Sequence, residues 1–548
     1  MKYMAVVECI SSGKMYVGDI LSRGYRPLII NMREASRNTL ECRMMLSAEI
    51  GNRAEYIDED EDQEAFLSKL KNYDIIAVFA GSEAGVRLAD RLNRLLGLRG
   101  NDDSTTYLRC NKSGMNLALE KAGLRRIESA RVSCRDDITA FWEKHRNGKC
   151  VLRYAESAAA VGLRICPSLN IALDHYEHMM ITPDYRGELN RDILIQEYVG
   201  GTEYIIDSLS CNGEHIITDM WVYSNAGFDN GIPVYDCIKL IKDPEPGHSD
   251  MVRYAYSVLD AVDMKWGICH IKIKTDENGP VLIETNARPI GLTMTADYLD
   301  EALGYHITDM AIDTYLEPER FRQLIGRPYN PRKYAMMKLM IVPDKIIGSF
   351  EPAMVLGNMI HSTREVLFSE HEGMYGYPRT NAETSPVVVK MIDEDYGSLT
   401  KDCELLRLIE SNYFQLYYSV GNDIDGLELK TDLGAVIRKL DAGKRILVTT
   451  DGEDFIAYKG EILPNEGWQI FDGVIYAKCA ASAAAERYRS VYRAMCSIRS
   501  GGIFIAVPES YAAMKHGSVM MDFMMNIGGF RIMLPGYGSG GIVYGIKK

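Results

Sequence analysis

Over the first hundred residues, short apolar runs at 4–7, 27–30 and 75–79 alternate with stretches of helical period. That alternation predicts a parallel sheet covered by helices. The clearest helix spans 83–96, where Leu88, Leu92, Leu95 and Leu96 form an apolar stripe opposite a wet face of Arg87, Asp90, Arg91 and Arg94. Gly97 and Gly100 stop it. A new pattern opens at Asn111, with a helix over 112–122 ended by Gly123, a helix over 136–145 and a strand over 150–154. Strands follow at 193–198, 203–210 and 215–222, the last two joined by Asn212-Gly213, a strong hairpin signal. A helix over 251–262 then precedes a second hairpin, strands 268–274 and 281–286 joined through Glu277-Asn278-Gly279.

Between 335 and 408 the pattern is mixed, with strands at 338–342 and 387–391 and a helix over 401–409. After residue 411 strands and helices alternate again, with strands expected at 445–449, 473–476, 502–507 and 542–546. These shifts divide the chain at 1–108, 109–190, 191–410 and 411–548. Several units are expected at a length of 548 residues, beyond the size at which one core keeps growing.

Composition narrows the function. Apolar residues make up 47% and charged residues 25%, ordinary for folded domains. A net charge of −14 argues against a nucleic-acid surface, which needs clustered Lys and Arg. Twelve cysteines without a C-x-x-C spacing read as reduced, buried thiols. No apolar run reaches the 18 or so residues of a membrane span, and the opening apolar run is too short for a signal peptide, so a cytoplasmic protein away from membranes is expected.

The most informative chemistry lies in Glu284-Thr285-Asn286-Ala287-Arg288. Strand residues two apart share a face, so Glu284 and Asn286 offer two oxygens to a hard cation such as Mg²⁺, and Arg288 adds a fork for anionic oxygens. The same spacing also fits a solvated strand face beside an arginine.

Taken in order, Glu8 with Ser11-Ser12-Gly13, then Gly81-Ser82-Glu83-Ala84-Gly85-Val86, Asn111-Lys112, Gln196-Glu197-Tyr198-Val199, Gly201-Thr202-Glu203-Tyr204 and Glu284 to Arg288 resemble the ATP-grasp superfamily, and most of all its L-amino-acid ligases and related carboxylate-amine ligases. The resemblance runs to about residue 410. It implies an α/β chain with an N-terminal Rossmann-like pre-ATP-grasp domain and an ATP-grasp α+β core. It implies ATP and Mg²⁺, a small-molecule carboxylate and an amine, and an acyl-phosphate intermediate, and it leaves room for a homodimer. On matching positions, Lys112 and Arg153 contact phosphate, and Gln196, Glu197, Tyr198 and Val199 line the adenine, largely through backbone groups. Glu203 sits near ribose or substrate, Glu284 and Asn286 hold metal, and Arg288 steadies the acyl phosphate.

Three positions depart from that family. Arg153 stands where a lysine is usual, which keeps the charge but changes its reach. The loop from Ala155 to Gly162 keeps one glycine where several would let backbone N–H groups close on phosphate. Lys272 occupies the place of a second metal carboxylate. A three-residue turn at Glu277-Asn278-Gly279 would pair Asp276 with Pro280 and set Lys272 opposite Glu284, whereas a two-residue turn would send Lys272 to the far face. Lys272 is therefore a candidate catalytic residue that supplies the missing cation's charge. The alternative is a nucleotide-binding or inactive scaffold.

Beyond residue 411, Phe471-Asp472-Gly473-Val474-Ile475-Tyr476, a helix over 486–498, the run from Ser500 to Pro508, and the last two strands supplied by Gly528-Gly529-Phe530-Arg531-Ile532 and by the ending from Gly541 to Lys548 resemble the second half of a class I S-adenosylmethionine methyltransferase. That resemblance implies an α/β methyltransferase-like domain. The turn after 445–449 lacks the repeated glycines that let such a cofactor approach backbone, so a structural or partner-binding role is expected before a methyltransferase fusion.

Overall fold

A computed structural model describes residues 1–33, 37–145, 148–156, 162–182, 189, 191–229, 231–341, 360–368, 385, 387–404, 406–407 and, further on, the backbone of seven strands. The chain forms two units. The first takes in residues 1–337 and 392–396, and the second the remaining described residues.

The first unit opens with four parallel strands, β1 (Lys2–Val7), β2 (Arg26–Asn31), β3 (Glu55–Asp58) and β4 (Asp74–Ala80), in the order β3-β2-β1-β4. As expected of a sheet covered on both sides, β1 is buried throughout its second half. Met4 and Val6 pack into one core and Ala5 and Val7 into another. The helix after β4 covers Val86–Leu95, preceded by a 3-10 turn at Glu83–Gly85. Two of its positions differ from the periodic reading. Leu95 is exposed, and Asp90 is buried because Arg109, with no exposure, holds it at 2.9 Å.

A four-stranded antiparallel sheet follows, built from β5 (Ser129–Val132), β6 (Cys150–Tyr154), β7 (Arg164–Cys166) and β8 (Ile193–Glu197) in the order β5-β8-β6-β7. Helices Arg135–Lys144 and Leu169–Ile181 cover one face.

The largest sheet of this unit comprises β9 (Thr202–Cys211), β10 (Glu214–Asp229), β11 (Ile232–Leu240), β12 (Trp266–Asp276) and β13 (Gly279–Asn286), in the order β13-β12-β9-β10-β11. Beside β11, β14 (Tyr334–Leu339) leads the chain out of the unit. The Asn212-Gly213 turn joins β9 to β10, both residues at positive φ (53° and 82°), as a primed hairpin turn demands. Alternation sorts the side chains of β9 and β12. Ile206, Cys269, Ile271 and Ile273 are buried under helices Pro246–Ala261 and Lys112–Lys121, and each fully buried isoleucine contributes about 1.5–3 kcal/mol. The intervening positions, Glu203, Asp207, His270, Lys272 and Lys274, share the opposite face.

The second unit contains the antiparallel pair β15 (Thr363–Phe368) and β16 (Val387–Asp393). It also contains a separate sheet of β17 (Ile446–Thr449), β18 (Asp454–Tyr458), β19 (Glu461–Pro464), β20 (Phe471–Cys479), β21 (Ile498–Pro508), β22 (Phe530–Met533) and β23 (Val543–Lys547). Their order is β19-β18-β17-β20-β21-β23-β22. β17, β20 and β21 are parallel, and the last strand is inserted antiparallel between β21 and β22. The helix expected over 486–498 lies outside the described residues up to the first residue of β21, and the residues after 407 expected to complete the helix over 401–409 lie outside them too.

Candidate active site

The face of β12 and β13 away from the helices carries the residues singled out from sequence. Lys272 stands directly opposite Glu284, and His270 opposite Asn286. The turn differs from the three-residue form. Asp276 pairs with Gly279, leaving a two-residue loop, which alone would have moved Lys272 to the far face. A bulge at Ile283 adds the missing residue, so the pairing jumps from Ile273–Leu282 to Lys272–Glu284 and the face is regained.

Lys112, the first residue of its helix, and Arg153, on β6 of the smaller sheet, converge on Glu284. Asn111 caps helix Lys112–Lys121, its side-chain oxygen accepting from Ser113 N at 2.9 Å. Lys112 N donates to the carbonyl of Ala155 at 3.1 Å, fixing the helix start to the end of β6, which carries Arg153. The Lys112 ammonium and the Arg153 guanidinium each lie 3.1 Å from the same oxygen of Glu284. Burial works against a charge there, but Lys112, Arg153 and Lys272 outweigh it and hold the Glu284 carboxyl well below the usual carboxylate range. Burial, helped by Arg153, lowers the pKa of Lys112 against the pull of Glu284.

Lys272 is enclosed. Its ammonium lies 3.6 Å from Glu203, 5.1 Å from the ring centre of Tyr223 and 5.9 Å from that of Tyr235. The Tyr235 hydroxyl donates to Glu203 at 3.1 Å. Burial disfavours the charge, yet Tyr223, Tyr235, Glu203 and Glu284 hold the Lys272 pKa well above that of an ordinary lysine.

The four residues expected at the adenine divide. Gln196 is buried on β8. The Glu197 side chain is committed elsewhere, accepting from Glu128 N at 2.8 Å. The Tyr198 ring centre lies 5.2 Å from the ammonium of Lys149 and 5.5 Å from that of Lys274, and Lys274 also donates to the Val199 carbonyl at 3.0 Å. The alanine-rich loop after β6 lies largely outside the described residues, which reach Glu156 and resume at Gly162.

Three functional candidates escaped the sequence reading. His270 is buried, lies directly opposite Asn286 and holds Asp207 at 2.7 Å. Burial raises the Asp207 carboxyl to about 7 and, with Arg288 and Lys272, lowers His270 well below an ordinary histidine. Its position two residues before Lys272 was the available signal. Glu83, just after β4, faces Arg288 Nε at 3.4 Å, and burial, opposed by Arg288, pushes its carboxyl up to about 7.

The donor set is suited to phosphate and one hard cation. Arg153 Nε and Asn286 Nδ2 are buried without a hydrogen-bond partner, and amide oxygen and nitrogen are exchangeable by rotation, so Asn286 can present an oxygen beside Glu284. No comparable pair of oxygens flanks Lys272 among the described residues: Glu203 is already engaged by Lys272 and Tyr235.

Residues 150–297 match the ATP-grasp domain family. Dapdiamide A synthase of Enterobacter agglomerans is 31% identical over 368 residues, covering 66% of this chain and 85% of that protein. The chain belongs to the ATP-grasp ligases. An L-amino acid ligase from Bacillus licheniformis has the same fold, with a TM-score of 0.57 at 13% identity over 74% of this chain and 97% of that one. An ADP complex of the purK N5-carboxyaminoimidazole ribonucleotide synthetase gives 0.54 at 13% identity over 75% and 98%. This ATP-grasp protein is a ligase that couples ATP to the formation of carbon–nitrogen bonds between a carboxylate and an amine. Among the described residues, no helix is long and apolar enough to cross a membrane.

Proposed function

We propose that the face shared by Glu284, Asn286 and Arg288 is where the carboxylate is activated. The convergence of Lys112 and Arg153 on Glu284, with Asn286 and Arg288 just beyond it, carries this reading. Lys112 and Arg153 bind the phosphates of ATP, swinging from Glu284 to anionic oxygens that replace it. Glu284 and Asn286 would hold Mg²⁺, which when bound neutralises phosphate charge. The substrate carboxylate attacks the terminal phosphorus and ADP departs, leaving an acyl phosphate. The amine nitrogen then attacks the carbonyl carbon, phosphate leaves and the nitrogen loses a proton. Arg288 steadies the negative charge of the acyl phosphate and its tetrahedral successor, so the chain contributes positioning and electrostatics rather than a covalent bond.

Lys272 takes the place of a second metal's charge in this proposal, a fixed ammonium supported by its cage of Glu203, Tyr223 and Tyr235. Gln196, Tyr198 and Val199 flank the adenine, and Glu197 serves the fold at β5. The amine and acid are small molecules, and dapdiamide and L-amino acid ligases name the kind of product to test first.

Calorimetry of ATP binding with and without Mg²⁺, followed by phosphate release against pairs of amino acids, tests the reading. Mg²⁺-dependent binding with pair-dependent release is expected, and absence of ATP binding overturns it.

For the second unit, the antiparallel last strand between β21 and β22 supports a Rossmann-type, methyltransferase-like scaffold. We assign it a structural or partner-binding role, because the sequence that follows β17, Thr450-Asp451-Gly452, has one glycine where such a cofactor needs several. Saturable S-adenosylmethionine binding by the full chain would contradict that assignment.

A further inference from the structure

Cys150 opens β6 and Cys166 closes β7, and the two stand directly opposite each other in that antiparallel pair. Residues so placed have Cα atoms about 4.5–5.5 Å apart, within the range of about 4.4–6.8 Å that a disulfide spans. Cys211, Cys237 and Cys269, by contrast, face Glu214, Ser224 and Ser208. Cys150 and Cys166 are both fully buried on the face covered by helices Arg135–Lys144 and Leu169–Ile181. A hydrogen bond joins their sulfurs. It lowers the pKa of Cys166 against burial, with Arg164 helping, and raises that of Cys150, to which burial adds. The thiolate is the nucleophilic form of cysteine, so Cys166 is the thiol that reacts first.

The pair adjoins the candidate active site through the backbone. Arg153, three residues beyond Cys150 on β6, projects from the other face of the sheet and reaches Glu284 at 3.1 Å. On its second flank Cys150 faces Glu197, within the segment assigned to the adenine. The outer edge of β7 is anchored as well. Ile165 N donates to the Gly231 carbonyl at 2.8 Å, at the start of β11 in the large sheet. Gly231 has a positive φ of 81°, and a Cβ there would meet Ile165 O at 2.3 Å, so the contact has no slack.

We infer that Cys150 and Cys166 form a peroxide-reactive dithiol whose reversible disulfide displaces β6 and weakens ATP binding. The effect on ATP rests on the ligase reading above, whereas formation of the bond does not. The Cys166 thiolate attacks one oxygen of hydrogen peroxide and the O–O bond breaks. The other oxygen leaves as hydroxide and takes up the proton that the thiol gave up, so Cys166 becomes a sulfenic acid and one water is released. The Cys150 sulfur then attacks the Cys166 sulfur, the S–O bond breaks, and the hydroxyl leaves as a second water with the Cys150 proton. Two thiols are oxidised to one disulfide and one peroxide is reduced to two waters. Burial of both sulfurs favours an oxidant this small. Facing Cβ atoms lie about 4.5–5.5 Å apart in a ladder but about 3.8 Å apart in a disulfide, so the bond draws β6 and β7 together by about 1 Å. Because β7 is anchored on its far side, β6 moves and carries Arg153 with it, and a misplacement of about 1 Å at a binding group is costly.

The test treats the full chain with hydrogen peroxide, maps disulfides by mass spectrometry of unreduced peptides, and measures ATP affinity by calorimetry before oxidation, after it, and after dithiothreitol. A Cys150–Cys166 link is expected, with Kd for ATP raised about tenfold or more and restored by the dithiol. Cys150→Ala and Cys166→Ala should bind ATP as the reduced wild type does, before and after peroxide, which separates this pair from oxidation of methionines or other thiols. Should a variant fail to fold, the wild-type cycle of oxidation and reduction still decides. Peroxide treatment that leaves both thiols free, or carries Cys166 to a sulfinic acid without linking it, overturns the inference. So does a linked protein whose ATP affinity stays within about twofold of the reduced form, which would make the pair a structural clasp only. If the reduced chain binds no ATP, the ligase reading falls and the effect on ATP with it, while the peptide map still reports whether the bond forms.

Discussion

Lys272 and Glu284 face each other across β12 and β13 only because Ile283 bulges out of the ladder, correcting the register left by a two-residue turn. An ammonium fixed opposite Glu284 and engaged by Glu203 leaves Glu284 and Asn286 as the oxygen pair for a cation. Replacing Lys272→Glu should therefore change the metal requirement. A Mg²⁺ titration of ADP release is expected to shift from a one-site to a steeper, two-site dependence, and turnover at low Mg²⁺ should fall by about 10- to 100-fold as a fixed charge becomes one that must be recruited. An unchanged Mg²⁺ curve would show that Lys272 serves only its cage.

Lys112 and Arg153 meet at one oxygen of Glu284, and the two contacts are both 3.1 Å long. Lys112→Met removes a buried cation and leaves Glu284 with fewer partners. ATP affinity measured by calorimetry should drop about 30-fold or more, corresponding to about 2–5 kcal/mol for truncating one member of a buried pair. Arg153→Lys keeps the charge but loses the fork, so the loss should be smaller, about tenfold or less. A Lys112→Met protein that binds ATP normally would place the phosphates elsewhere.

Much of this arrangement was legible from the chain, and the exceptions have physical causes. Asn212-Gly213 marked its hairpin because both residues adopt the left-handed backbone the turn requires. The adjoining strand β11 was overlooked because Pro233 breaks a strand pattern, although it sits near the turn end of the pair, opposite Phe228. β3, β5 and β7 have three or four residues each, too few for a period to register. The Ile283 bulge was invisible because alternation counts residues and does not reveal where pairing skips one. Glu83 and Arg288 are about two hundred residues apart, and only tertiary contact between the segments after β4 and β13 brings them together.

The close approach of the segments after β1 and β4 makes its own demand. Gly13→Ala inserts a methyl group where the Gly81 carbonyl oxygen lies 2.2 Å away, and the three nearest atoms are all Gly81 backbone, with no flexible side chain to yield. Overpacking of this kind costs about 1–3 kcal/mol, so a fall in Tm of several degrees is expected. Gly18→Ala is the control, since nothing lies within 4 Å of the added atom. Equal stability of the two variants would mean that the segments after β1 and β4 are not tightly apposed.

A buried histidine ties the first helix to a later one. His306 Nε2 lies 2.8 Å from Asp19, Nδ1 lies 2.9 Å from Asp300, and Thr308 Oγ1 donates to the second oxygen of Asp19 at 2.6 Å. Asp309 completes an acidic group around the ring but is itself paired with Arg23 at 2.8 Å. Both ring nitrogens donate, so the imidazolium supplies the charge that a metal would otherwise bring to Asp19, His306 and Asp309. Burial opposes protonation, but Asp19 and Asp300 outweigh it and raise His306 to about 9. A histidine raised above its unfolded value stabilises fully below about 6.5, and that contribution is lost as pH climbs through about 9. Tm should hold steady below about pH 6 and decline between about 6.5 and 9, the lost stabilisation being on the order of 2 kcal/mol once partial solvent screening is allowed for. His306→Gln should start lower and show no such decline. A wild-type Tm that is flat to pH 10, or a His306→Gln profile parallel to it, would mean that the ring is neutral in the folded protein and that the contact between these helices rests on packing alone.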